Sequence, residues 1–199
     1  MTQVNELKRE WGYAIVRIVI DYAAAILILA LLWWLMVIIW LAVRILSPGP
    51  GIFSQSRVGR NEAVFTCYKF RTMSVSAPNL GTHDVSAAMV TPFGAFLRRT
   101  KLDELPQVIN VLFNQMSLVG PRPCLPIQIE LIYERRTRGV FRVKPGITGL
   151  AQIEGVDMSD PVKLAKLDQQ YIEQRSLALD IKILAATALG RGSGDKIKS

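Results

Sequence analysis

Hydrophobic and polar positions divide this chain into one long apolar block and a longer amphipathic remainder. From Tyr22 to Val43 there are 22 consecutive residues without a charge, bounded by Asp21 and Arg44. As a helix the block would be roughly 33 Å long, about the thickness of a bilayer's hydrocarbon core. A secretory signal has a shorter apolar stretch, about 7–15 residues. Arg44-Ile-Leu-Ser-Pro48 also lacks the small residues of a cleavage site, so a retained membrane helix is expected. Ser47-Pro-Gly-Pro-Gly51 is a strong breaker. It separates an anchoring segment, residues 1–47, from a body formed by residues 48–199.

In that body, Gly51–Gly59 and Ala63–Arg71 read as short strands or extended loops around a turn at Gly59-Arg60-Asn61. Residues 74–90 are polar and loop-like, and they include the single histidine, His83. Thr91-Pro92 introduces a helix with Phe93, Phe96 and Leu97 at i, i+3 and i+4. A second helix is predicted from Asp103 to about Asn114, burying Leu105, Val108, Ile109, Leu112 and Phe113, with Pro106 in its first turn. Further helices are predicted over 125–136 and 162–174. Residues 177–189 carry only Asp180 and Lys182 as charges, which suits either a helix in the headgroup layer or a terminal helix packed on the core. The predicted fold is therefore mainly α with short β or extended segments. An N-terminal membrane-embedded helix joins a small domain with interfacial amphipathic helices.

Charge bears on how the anchor meets the bilayer. The formal net charge is +8, from 24 Lys and Arg against 16 Asp and Glu, which favours anionic lipid, nucleotide phosphates or nucleic acid as partners. Lys8, Arg9 and Arg17 precede the apolar block, and Arg44, Arg57 and Arg60 follow it. The positive-inside tendency would hold both flanks on the cytoplasmic face. A re-entrant helix satisfies both flanks, whereas a straight crossing leaves a short tail outside; charge alone leaves both courses open. Cys67 and Cys124 are far apart and lack ligand-like neighbours, so reduced thiols are expected rather than a zinc site.

The candidate chemistry lies between Arg98 and Pro123. Arg98, Arg99 and Lys101 precede the adjacent acids Asp103 and Glu104, and Pro121-Arg122-Pro123 ends the stretch. Adjacent acids at a helix start are ordinarily a cap and a dipole partner. Here the surrounding cations and the helix start would also receive a diphosphate. One acid can then attack phosphorus while the other holds Mg²⁺ against phosphate oxygens. The same cations are expected to lower both carboxyl pKa values and keep both acids ionised. The sequence has no Asp-x-Asp, phosphate loop, GxGxxG or HExxH. The alternative is a non-catalytic, membrane-tethered basic adaptor for anionic lipid or nucleic acid. Trp11, Trp33, Trp34 and Trp40 all lie in or near the anchor, which argues against base stacking and hence against nucleic acid.

Seven blocks in order carry a family resemblance: Arg17–Asp21, Tyr68–Met73, Thr91–Arg98, Leu102–Gln107, Ser117–Pro123, Val143–Gly149 and Leu167–Tyr171. By these the chain resembles the small monotopic phosphoglycosyl transferases among the bacterial sugar transferases. The resemblance implies transfer of a sugar-1-phosphate from a UDP-sugar to undecaprenyl (polyprenyl) phosphate. UMP would be released, and the lipid-linked product would begin a surface glycan or glycoconjugate. It implies Asp103 as nucleophile, Glu104 as the Mg²⁺ ligand, and Lys69, Arg98 and Arg122 as phosphate or nucleotide contacts, with Asp168 as a supporting acid. The catalytic body would sit on the cytoplasmic face of the bacterial inner membrane among phospholipids, with room for a homo-oligomer and without nucleic acid. Two places differ from the family pattern. Trp33-Trp34 stands where members carry a helix-bending Ser-Pro, and Glu154 and Val156 stand in an Asn-Gly-Arg position.

Overall fold

A computed structural model of the chain describes residues 2–77 and 87–192, so His83 and most of the predicted polar loop lie outside the described residues. The fold is mostly helical with a few short strands. Helix α1, Thr2–Leu46, is uninterrupted, and its Gly12–Leu46 portion is long and apolar enough to cross a membrane. The strands β1, Ile52–Val58, and β2, Val64–Phe70, form the predicted hairpin, antiparallel from Ile52↔Phe70 to Val58↔Val64. Asn61 and Glu62 turn it with φ of 56° and 59°.

Helix α2, Pro92–Thr100, starts as the sequence predicts, with Thr91 Oγ1 accepting from the Gly94 N–H at 2.9 Å and Pro92 in the first turn. Gly94 allows this helix to lie against the Thr72 backbone: a Cβ there would stand 2.0 Å from the Thr72 carbonyl oxygen. The helix expected over 103–114 is found in two pieces. A 3-10 turn covers Leu102–Glu104, and α3 runs only from Gln107 to Leu112. Pro106 has no N–H to give the Leu102 carbonyl, which accepts instead from Leu105 three residues on, at 3.3 Å.

Two strands fall within the resemblance blocks. β3, Ser117–Val119, pairs in parallel with β4, Gly146–Thr148. Three-residue strands are too short to show a period of two. Gly146 admits the close approach, since a Cβ on it would lie 2.1 Å from the Gly120 nitrogen. Helix α4, Ile129–Thr137, begins four residues later than expected because Leu125 opens a turn, its N–H donating to Gln128 Oε1 at 2.8 Å. The short α5, Leu150–Ile153, is followed by α6, Pro161–Gln174, and α7, Leu177–Ala188. Of the two courses for the last helix, one face packs on the core through Ile183 and Asp180, while Ile181 is exposed.

Helix α1 is part of the packing. Asp21, Ala25, Ile28, Leu29, Leu35, Met36, Ile39 and Val43 recur at helical spacing, and all are buried or partly buried. Ala25 packs with Cys67, Val108, Val111 and Met116; Ile39 and Val43 pack with Phe70 and Leu97. The other faces expose Val19, Ile26, Leu31, Trp33, Trp34 and Ile45. At the far end, Arg71 donates to the Ser47 carbonyl at 2.8 Å and to that of Pro48, closing off α1. Both cysteines are free thiols and buried.

Candidate active site

Three elements meet at the acid pair. Lys101, at the end of α2, adopts the left-handed conformation with φ 58° and turns the chain abruptly into the 3-10 segment. A non-glycine residue held there costs roughly 1 kcal/mol, and such strain gathers at functional sites. The turn leaves Asp103 buried. Lys69 reaches Glu104 from the end of β2, its Nζ 2.8 Å from Oε1. Arg122 reaches the same oxygen from the other side, with Nη2 at 3.0 Å.

The cations divide the two acids. At Glu104, burial pushes the carboxyl up, but the charges and hydrogen bonds of Lys69 and Arg122 outweigh it, taking the pKa down to about 2. At Asp103, burial dominates over the attraction of Lys69, Arg98 and Arg122, and neighbouring Glu104 adds to it; the pKa is pushed up to about 6. The sequence-based expectation that the cations lower both values therefore holds for Glu104 and fails for Asp103. Desolvation of Asp103 costs more than its surrounding charges return. Arg98 faces this cluster from α2, and its Nε donates to Thr72 Oγ1 at 2.9 Å.

Arg122 sits in a rigid mount. The carbonyls of Pro121, Arg122, Pro123 and Cys124 accept in succession from Gly146 N at 3.0 Å, Arg135 Nη1 at 2.8 Å, Arg57 Nη1 at 2.9 Å and Val58 N at 2.9 Å. Prolines on both sides fix φ as well. Asp168 stands behind this mount. It pairs with Arg135, which lies 2.9 Å away through Nε and 2.7 Å through Nη2, with both side chains buried.

The structure thus gathers Lys69, Arg98, Asp103, Glu104 and Arg122, and links Asp168 to them through Arg135. Sequence reading missed Arg135 and Arg57, and it also missed Asn110. The fully buried Asn110 braces β2 beside Lys69: its Nδ2 donates to the Thr66 carbonyl at 2.7 Å and its Oδ1 accepts from the Tyr68 N–H at 3.2 Å. Of the two positions that differ from the family pattern, Glu154 is exposed and Val156 packs on a core cluster with Ala151 and Met158.

Comparison with known proteins identifies the family. A family model described as bacterial sugar transferase matches residues 12–191. The chain is 40% identical over 193 residues to a UDP-glucose:undecaprenyl-phosphate glucose-1-phosphate transferase of Xanthomonas campestris pv. campestris, covering 91% of this chain and 40% of that protein. It is 37% identical over 178 residues to a protein of the same name from Caulobacter vibrioides, covering 85% of this chain and 67% of the relative. It is also 39% identical to the uncharacterized sugar transferase EpsL of Bacillus subtilis, covering 84% of this chain and 82% of that one. The chain spans only about two fifths of the Xanthomonas protein and about a third of a galactosyl transferase from Streptococcus agalactiae. The match from Gly12 to Arg191 covers most of helix α1, the acid pair and the Arg122 mount, and on it the chain belongs to the bacterial sugar transferase family.

Proposed function

We propose that this chain transfers a sugar-1-phosphate from a UDP-sugar to undecaprenyl phosphate, releasing UMP and starting a surface glycan or glycoconjugate. The observation that carries the reading is the convergence of Lys69 and Arg122 on Glu104, directly beside a buried Asp103. An Asp103 carboxylate oxygen attacks the β-phosphorus of the donor. The bond from that phosphorus to the bridging oxygen breaks, and UMP leaves with the bridging oxygen. A phosphate oxygen of the lipid then attacks the same phosphorus, forming the diphosphate and freeing Asp103. Lys69, Arg98 and Arg122 carry the positive charge that offsets the phosphates during both steps.

Among the described residues no three His, Cys, Asp or Glu side chains gather as a metal cage. Carboxylate oxygens at Glu104, beside Asp103, nonetheless fit Mg²⁺, which is commonly held by one or two carboxylates together with substrate phosphates. When bound, Mg²⁺ would neutralise diphosphate charge. Glu104 is the residue we assign to hold it. Chelation by EDTA should stop UMP release, and Glu104→Gln should cut it by about a hundredfold or more and flatten its response to added Mg²⁺. An unchanged metal titration in Glu104→Gln would leave that acid only as the ion-pair partner of Lys69 and Arg122.

The pKa of Asp103 sets a second expectation. An ordinary aspartate stays ionised down to about pH 4, whereas Asp103 takes up a proton as pH falls through about 6. Single-turnover UMP release should be half-maximal near that pH and fall to about a tenth of its plateau one unit lower. A midpoint near 4 would mean that Asp103 titrates as an ordinary aspartate and that burial does not raise its carboxyl during the reaction.

Both ends of the apolar stretch of α1 touch the same domain, at Asp21 and at Ser47. A perpendicular crossing would drag that domain into hydrocarbon. This supports entry from one side, the shared consequence of the re-entrant course, here with the exposed apolar faces of an unbroken helix as the embedded surface. We place the domain on the cytoplasmic face of the bacterial inner membrane, in contact with phospholipid. The direct test is UMP formation from a panel of UDP-sugars with undecaprenyl phosphate in lipid vesicles; no release with any donor would refute the transfer.

A further inference from the structure

Asp21 is a charged residue at the edge of the apolar block, and the structure gives it a use. Its Oδ1 accepts from the Leu118 N–H at 3.0 Å, and its Oδ2 accepts from Ser117 Oγ at 2.6 Å. Arg17, one turn earlier on α1, donates through Nη2 to Ser117 Oγ at 2.8 Å and to the Val119 carbonyl. Asp21 and Ser117 are 4% and 1% exposed, so these bonds are shielded from water.

Among the described residues strand β3 has one strand neighbour, β4, joined at Ser117 and Val119. Leu118 lies between those two positions, and its N–H would otherwise be an unpaired edge group. Helix α1 therefore completes the sheet with a carboxylate and a guanidinium in place of a third strand. Three residues beyond Val119, the same run of chain delivers Arg122 to Glu104.

We propose that Arg17 and Asp21 are positioning residues for the transfer reaction: clamping β3 to the membrane helix holds Arg122 at Glu104. The proposal rests on the reading of the site given above. A half-buried arginine and a buried aspartate could instead serve stability alone, and the two roles differ in how their losses combine. If Asp21 acts through Arg122, removing Arg122 leaves Asp21 little further effect on the reaction; independent roles multiply.

The test is a double-mutant cycle on the full chain in lipid vesicles, read as single-turnover UMP release. Displacing Arg122 by about 1 Å should cost on the order of a hundredfold, so Asp21→Ala is expected to slow release by that amount. Asp21→Asn, which keeps an acceptor for Leu118, should recover most of it. Added to Arg122→Ala, Asp21→Ala should slow release less than about threefold further. Ser117→Ala, which removes one hydroxyl from between helix and strand, carries the same comparison if Asp21→Ala does not fold. Losses that multiply in the double variants, or wild-type release by both Asp21→Ala and Ser117→Ala, would overturn the positioning role while leaving the reaction intact. Full release by Arg122→Ala alone would overturn it together with the phosphate-binding role of Arg122.

Discussion

Asp103→Asn should lower UMP release by at least about a thousandfold, the scale of losing a nucleophile for which no neighbour substitutes. Glu104 cannot take over while Lys69 and Arg122 hold its Oε1. Intact-mass measurement of wild-type enzyme given donor without acceptor should show the added phosphosugar, and the variant should show none. The same variant should melt higher. Because the folded-state pKa of Asp103 is raised to about 6, its ionised form at neutral pH is less favourable in the folded chain than in the unfolded one. That cost is absent below about pH 4, where both states are protonated, and is complete above about pH 6. Asparagine resembles the neutral acid, so the gain in Tm at pH 7.5 should be a few degrees and should vanish toward pH 4. Turnover in Asp103→Asn above a tenth of wild type would exclude this residue as the nucleophile.

Asp168→Ala should destabilise the chain by roughly 3–5 kcal/mol, since it leaves the Arg135 guanidinium buried without its counter-charge. Thermal unfolding should shift down by about 10 °C. Activity should fall as well, because Arg135 also holds the carbonyl of Arg122. A second variant separates these effects. Asp168→Leu combined with Arg135→Met replaces the pair by apolar volume and should regain much of the lost stability. It should not regain UMP release, because the Arg122 carbonyl still lacks its donor. Recovery of both would confine Asp168 and Arg135 to a structural role.

The parts of this molecule legible in the sequence are those with local signals. The hairpin around Gly59-Arg60-Asn61, the Thr91-Pro92 start of α2, and the last two helices all follow from turn, cap or period. The acid pair and its cations also stood out, because charges crowded into one short segment need a reason. What was hidden depends on partners distant in the chain. Arg135 belongs to a run with Glu134, Arg136 and Arg138 that looks like a solvated helix face, yet it is buried because Asp168 and the Arg122 carbonyl lie across from it. Asn110 sits among the apolar residues of α3 and shows its use only against the edge of β2. The split at Pro106 was misjudged for a related reason. A proline is acceptable in a first turn, but here the strained Lys101 and the need to seat Asp103 under cover shorten the helix before that turn can form.

The packing of α1 has a practical consequence. Its residues contribute to the clusters around Val108, around Phe70 and Leu97, and around Tyr171 and Ile183. Cutting at the Pro-Gly breaker to obtain a water-soluble fragment for crystallography or inhibitor screening would strip one wall from each of these clusters and leave Leu118 without its helix partner. Such a fragment would aggregate or unfold, and a silent assay on it would say nothing about which donors the intact molecule accepts.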